Sequence, residues 1–99
     1  MYVFMVKSTI KPEFKQQILN YYLNGHLDEV VATGCFESWT CEHDAHSNQL
    51  IVRYVCNSNE KFQEYLADFA PKFRADTQQI FPIEITHVER NFSQIIPPL

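Results

Sequence analysis

The sequence has little glycine, few cysteines and no long apolar run. Two of its 99 residues are glycine and three are cysteine. No window approaches the roughly 18 apolar residues of a membrane-spanning helix. Residues 1–7 also lack the basic segment and cleavage site of a signal peptide. The cysteines form no Cys-x-x-Cys pair, a pattern typical of reduced thiols in the cytoplasm. We therefore predict a cytoplasmic protein with no membrane partner.

Positive charge is also scarce. Eight Lys and Arg stand against twelve Asp and Glu, giving a formal net charge of −4. Because nucleic acids are bound through basic patches, we expect no nucleic-acid partner. The segment His43-Asp44-Ala45-His46, with Cys41 near by, lies in a polar turn without a second ligand pair at zinc-finger spacing. We predict neither a metal site nor a cofactor.

The apolar residues that are present suffice for one modest core. They make up 45% of the 99 residues, which fits a single domain. Continuous or alternating apolar patterns rich in β-branched and aromatic residues predict four strands. These strands are predicted at 2–10, 35–43, 49–56 and 83–92.

The first predicted helix lies between strands one and two. Pro12 is tolerated in its first turn, where the missing N–H has no partner. Asn24-Gly25 should break or kink the helix, and Gly34 ends the second piece as glycine commonly does. Cys35 and Phe36 are then expected to be the first residues of the second strand.

The second predicted helix follows strand three. Asn57 or Ser58 caps it, and apolar residues then recur at helical spacing. Pro71 should end its first part near Ala70, because the ring removes a backbone hydrogen bond. Residues 76–81 are expected to form a transition to the last strand.

The resulting order βαββαβ predicts an α+β, ferredoxin-like fold. Right-handed crossovers then give a four-stranded antiparallel sheet of order 4-1-3-2 with the helices on one face. We assign residues 1–92 to this domain and residues 93–99 to a C-terminal tail. Since the helices cover one face only, the apolar second face predicts a homodimer.

Two segments resemble a known family. They are H-L-D-E-V-V-A-T-G-C-F at 26–36 and A-P-K-F-R-A-D at 70–76. Both are similar to segments of an uncharacterised domain-of-unknown-function family within the dimeric α/β-barrel superfamily. The resemblance implies two sheets packed face to face and a cavity between sheet and helices. Superfamily relatives include quinone-forming monooxygenases and haem-degrading enzymes. At Met5 the chain departs from the polar residue that family members tend to carry.

His26 is the candidate catalytic residue. It follows the predicted helix break, where an imidazole that titrates near neutrality could shuttle a proton at the mouth of a cavity. The structural alternative is a histidine that holds backbone carbonyls at a helix terminus.

Four further residues are candidate ligand contacts. Trp39 could stack on a ligand or anchor the core or dimer interface. Arg53, on a central strand, should be buried and must pair with Glu37 or with an acidic ligand. His87, on the last strand, could face the cavity or the solvent.

Two functions are compatible with these patterns. The first is a homodimeric protein that binds a small hydrophobic or acidic molecule, with a cofactor-free oxygenase or isomerase as its enzymatic form. The alternative is a non-catalytic structural or interaction module whose dimer is the functional unit. An RNA-binding role is disfavoured, because strand three lacks the Gly-aromatic pattern that stacks bases.

Overall fold

The computed structural model describes residues 1–98, and Leu99, part of the predicted tail, lies outside them. Four strands form one sheet: β1 Tyr2–Ile10, β2 Ser38–Asp44, β3 Gln49–Cys56 and β4 Ile85–Gln94. The helices are α1 Lys15–Tyr21, α2 Leu27–Ala32, α3 Asn59–Asp68 and α4 Ala70–Ile80. A short 3-10 turn, Pro12–Phe14, precedes α1, and a π-helical turn, Tyr22–His26, joins α1 to α2.

The sheet has the ferredoxin-like topology. Its strand order is β2-β3-β1-β4, and each neighbouring pair is antiparallel. This order confirms the predicted α+β, 4-1-3-2 arrangement. The predicted bounds of β1 and β3 are those of the structure.

Burial alternates along the sheet and shows which face the helices cover. On β3, Leu50, Val52, Tyr54 and Cys56 are buried, whereas the residues between them are half-exposed. The same cluster contains apolar side chains from all four helices. All helices therefore pack on one face, as predicted.

The break in the first helix falls at Asn24 and Gly25, whose backbone dihedral angles are not helical. Beyond α2, Gly34 takes the left-handed conformation with φ of 84°, which favours glycine. Its N–H donates to the carbonyl of Val31 at 3.1 Å. The predicted break at Asn24-Gly25 and the predicted helix end at Gly34 are both confirmed.

The start of the second strand was predicted too early. Cys35 and Phe36 are 3% and 5% exposed, so both lie in the core rather than alternating between two faces. The chain joins the sheet at Glu37, whose N–H donates to Val55 at 2.8 Å, and β2 begins at Ser38. Cys35 and Phe36 directly precede a segment in which apolar and polar residues alternate. The alternation alone does not show that these two residues lie outside the strand.

The second helix is capped by Ser58, whose Oγ accepts from the N–H of Lys61 at 3.2 Å. It breaks at Phe69, and Pro71 lies in the first turn of α4, in agreement with the predicted break. The expected transition at 76–81 is wrong, because α4 continues to Ile80. Its last turns are mostly polar, so no apolar stripe announces them.

The last strand lies later in the chain than predicted. It begins at Ile85 rather than 83, and Ser93 and Gln94 still pair with Val3 and Tyr2. Residues 93–94, assigned to the tail, thus belong to β4. Backbone pairing does not require apolar side chains, so this extension leaves little trace in the sequence.

The other face of the sheet carries no helix. Its centre is a half-exposed apolar patch of Val3, Met5, Ile51 and Val55. The edge strands present exposed polar side chains on this side. We call this surface the open face. Among the described residues, no helix combines the length and apolar character that a membrane crossing requires.

Candidate functional site

A cavity of about 520 Å³ lies between the sheet and the helices. Phe4, Val6 and Tyr54 form its floor from β1 and β3, and helix α4 contributes Phe73 and Thr77. His26 and several residues of β4 complete the wall. Aromatic rings therefore form a large part of the wall of a space big enough for a drug-sized molecule.

His26 borders this cavity and is held by aromatic neighbours. Its ring stacks on Tyr21 at 5.0 Å between centroids and meets Tyr22 and Phe73 edge-on. Nδ1 lies 3.3 Å from the hydroxyl oxygen of Tyr21, which in turn lies 3.2 Å from Oγ1 of Thr77. The helix break positions His26 for these contacts, because it turns the chain between α1 and α2.

The imidazole of His26 is neutral at physiological pH. Burial lowers its pKa below the ordinary value, and the carboxylates of Glu29 and Asp76 oppose this only in part. A neutral imidazole beside a cavity can accept a proton.

Three tyrosines in the cavity wall remain protonated phenols. Burial raises the pKa of Tyr22 and Tyr54, and it raises that of Tyr65 to about 12 although Arg74 and Arg90 oppose it. Their hydroxyl groups can therefore donate or accept hydrogen bonds but are not bases at neutral pH.

Arg74 of α4 and Arg90 of β4 line the cavity as well. Arg90 pairs in register with Val6, which places it on the helix side of the sheet. Sequence reasoning missed both arginines. The available signal for Arg90 was strand alternation, which places it on the same face as the apolar residues Val88 and Phe92. On an exposed edge strand, however, an arginine at that position is equally compatible with contact to solvent.

Trp39 lies on the helix side of β2 and is the cross-strand neighbour of Tyr54, but it does not itself line the cavity. Its Nε1–H donates to Oδ1 of Asp28 on α2 at 2.9 Å. The indole thus ties the edge of the sheet to α2. This geometry accords with the anchoring alternative, and a stacking role in the cavity finds no support in its position.

Arg53 and Glu37 do not form the expected pair. Arg53 points to the open face, is 43% exposed at its side chain, and pairs with Glu42. Glu37 precedes β2 and accepts a hydrogen bond from Asn57. The expectation of a buried Arg53 bonded to Glu37 is wrong, because Glu42 is the acidic residue whose strand position places it on the same face as Arg53.

His87 sits beside a bulge in β4 and borders the rim of the cavity. Its side chain is 62% exposed, and its Nε2 lies 3.4 Å from a carboxylate oxygen of Glu89. Of the five predicted site residues, His26 and His87 therefore border the cavity. Of these two, only His26 packs against aromatic rings there. Within residues 1–98, no group of three or more His, Cys, Asp or Glu is arranged to hold a metal ion.

The topology and the cavity define a class of small α+β proteins in which one ferredoxin-like sheet is covered by helices on one face. The chain belongs to the family described as Domain of unknown function (DUF4286), whose model matches residues 1–95. No curated protein matches the chain.

Solved structures share this fold at low identity. An antibiotic biosynthesis monooxygenase is 12% identical, with a TM-score of 0.74 over 98% of this chain and 100% of that one. A monooxygenase from the gene ActVA-Orf6 of Streptomyces coelicolor, in complex with nanaomycin D, is 11% identical, with a TM-score of 0.75 over 99% and 89%. SnoaB, a cofactor-independent oxygenase from Streptomyces nogalater, is 13% identical, with a TM-score of 0.72 over 99% and 95%. At these identities the likeness establishes the fold alone.

Proposed function

We propose that this protein is a cytoplasmic homodimer that binds a small, largely hydrophobic molecule in its cavity, and that it acts on this molecule as a cofactor-free oxygenase or isomerase. The observation that carries the proposal is the position of His26 at the wall of a cavity of about 520 Å³, packed among aromatic rings. Burial there lowers the pKa of the imidazole, which favours its neutral form. The names of two structural neighbours, a monooxygenase with nanaomycin D and a cofactor-independent oxygenase, support the reaction class by analogy.

His26 is the proposed general base. In one tautomer its Nδ1–H donates to the Tyr21 hydroxyl oxygen and the Tyr21 O–H donates to Thr77. Nε2 is then free to take a proton from an acidic C–H or O–H group of the substrate. Tyr21 and Thr77 act as positioning residues that select this tautomer.

The substrate anion formed in this way has two productive fates. Return of the proton at another carbon gives an isomer. Alternatively, the anion of a CH₂ group adds to O₂ to give a peroxide. Loss of the remaining C–H proton with cleavage of the O–O bond gives a carbonyl and hydroxide, and the proton held by the His26 imidazolium converts the hydroxide to water. The sum is CH₂ + O₂ giving C=O + H₂O. The aromatic side chains of the inner wall favour either course, because they shield the anion from protonation by solvent.

The open face is the proposed dimer interface. Its apolar centre, Val3, Met5, Ile51 and Val55, is half-exposed in a single chain, and polar side chains surround it. A second copy would bury this patch against its own equivalent, as the two-fold interface of a dimeric α/β barrel requires. The cytoplasmic location is supported by the free state of Cys35, Cys41 and Cys56.

Calorimetric binding of naphthol, a neutral aromatic probe, tests the cavity. Val6→Phe narrows the space from β1, whereas Leu23→Phe alters an exposed residue that does not line it. We expect the first variant to lose affinity and the second to match the wild type.

The probe can also decide against a ligand site. Equal affinities for both variants would contradict it, and so would native mass spectrometry that finds no retained molecule after incubation with cell extract. Dimerisation without any ligand would favour the alternative, an interaction module whose dimer is the functional unit.

A further inference from the structure

The cavity carries positive charge without an internal counter-charge. Arg74 and Arg90 both border it, and none of the residues that line it is Asp or Glu. The four ion pairs found among residues 1–98 all use other side chains.

This imbalance runs against the composition of the chain. Acidic residues outnumber basic ones by twelve to eight, yet two of the basic residues meet at one cavity. Partial burial lowers the pKa of Arg90, and the neighbouring charge of Arg74 lowers it further. A single carboxylate between them would relieve this repulsion, because opposite charges at short range favour the ionised form of both.

The rest of the wall is suited to a flat apolar body. Phe4, Tyr22 and Phe73 present their rings to the same space as the two arginines. Arg74 and Arg90 are exposed to solvent where the cavity opens on the helix side of the sheet, whereas Phe4 and Tyr22 are buried. The site therefore has a charged mouth and an aromatic interior.

We propose that the cavity takes an aromatic or polycyclic carboxylate, held by Arg74 and Arg90 at the mouth with its rings against the aromatic wall near His26. This inference rests on the proposed function, because it presupposes that the cavity is a ligand site. Guanidinium groups bind carboxylates through paired hydrogen bonds in one plane, which fixes orientation as well as charge. Such an anchor keeps the acid group outside and directs the ring system inward, toward the imidazole.

The test compares matched probes by calorimetry: naphthoate, its neutral amide naphthamide, and naphthyl phosphate. We expect naphthoate to bind about tenfold more tightly than naphthamide, as for charge-assisted hydrogen bonds at a partly exposed site. Arg74→Gln and Arg90→Gln should each reduce this preference, and the double variant should abolish it. Arg53→Gln, on the open face, is the matched control and should leave the preference unchanged.

The outcomes separate the two proposals. If neither naphthoate nor naphthamide binds, the ligand site itself fails and the carboxylate with it. Equal binding of the two overturns the carboxylate and leaves the ligand site standing. Tighter binding of naphthyl phosphate than of naphthoate overturns the carboxylate in favour of a phosphate ligand. A preference that survives in a folded double variant overturns the assignment to Arg74 and Arg90. The wild-type comparison decides the carboxylate even if that variant does not fold.

Discussion

Arg53 and Arg90 lie on one sheet but meet opposite surroundings. Arg53 points to the open face and pairs with Glu42. Arg90 points to the helix side, where its charged neighbour is another arginine, Arg74. On the open face, the charge of Arg53 is thus balanced within the chain. In the cavity, Arg74 and Arg90 have no acidic partner among the described residues that line it.

The apolar residues of the same strand show a parallel difference. Phe4 is 3% exposed and contacts the rings of Phe36, Tyr54, Phe62 and Tyr65. Its neighbour Met5 is half-exposed on the open face. One side of β1 is therefore committed to the core of the single chain, and the other is available to a second chain.

The largest effect should come from the core side of β1. Phe4→Ala should lower the free energy of unfolding by about 3–5 kcal/mol, because it removes a buried ring and leaves a void. Met5→Ala should cost less than half as much in a dilute sample, where chains are monomeric. Urea unfolding followed by circular dichroism measures both, and equal losses would erase the contrast between the two faces.

Next is a charge placed on the open face. Val55→Glu should convert the proposed dimer to a single chain, because a buried interface contact cannot hold an unpaired carboxylate. Sedimentation equilibrium reports the molar mass, and Ile83→Glu, at an exposed residue outside the sheet, is the control. If Val55→Glu keeps the mass of the wild type, the open face is not the interface.

A smaller effect should appear in the pH dependence of the free energy of unfolding, to which His26 contributes. Its pKa in the folded state lies below the value of about 6.5 for the unfolded chain. The unfolded chain therefore binds more protons as the pH falls through 6.5, and the free energy of unfolding declines. His26→Gln should flatten this decline, because it removes the group whose proton uptake differs between the two states. Parallel pH profiles for wild type and His26→Gln would contradict a buried, neutral imidazole.

The smallest effect concerns the arginines themselves. A double-mutant cycle of Arg53→Gln and Glu42→Gln should give a coupling of about 0.2–1 kcal/mol, since both side chains are largely exposed. Arg90→Gln should leave stability unchanged or raise it by a few tenths of a kcal/mol, because it removes repulsion from Arg74. Thermal unfolding of both variants measures this difference in sign. A loss of stability for Arg90→Gln as large as for Arg53→Gln would indicate that Arg90 has a structural partner.

Much of the fold could be predicted because its signals are local. The bounds of β1 and β3 follow from continuous apolar runs, and the break at Asn24 and Gly25 follows from backbone preference. The ends of α4 and β4 escaped prediction because polar residues continue both elements. Backbone hydrogen bonds hold those residues in place without any contribution from an apolar pattern.

The candidate site was only partly accessible to the same reasoning. His26 stood out because it follows the helix break, and the structure places it at the cavity. Arg53 attracted attention because it interrupts an apolar strand, but strand alternation alone does not say which face the helices cover. Arg90 lacked such a contrast, since neighbouring polar residues made it look like an ordinary surface residue.

The sequence by itself determined the order βαββαβ, the helix break at Asn24-Gly25 and the helix end at Gly34. It also determined that the strands carry more apolar residues than helices on one face can cover. These properties depend on backbone preference and on the period of side chains along one element. Only the tertiary structure decided which arginine is paired and which is not. Glu42 reaches Arg53 through the register of β2 on β3, and the fold brings Arg74 of α4 and Arg90 of β4 to the same cavity. Such contacts join residues far apart in the chain, and electrostatic energy depends on the distance between charges in space rather than on their separation in sequence.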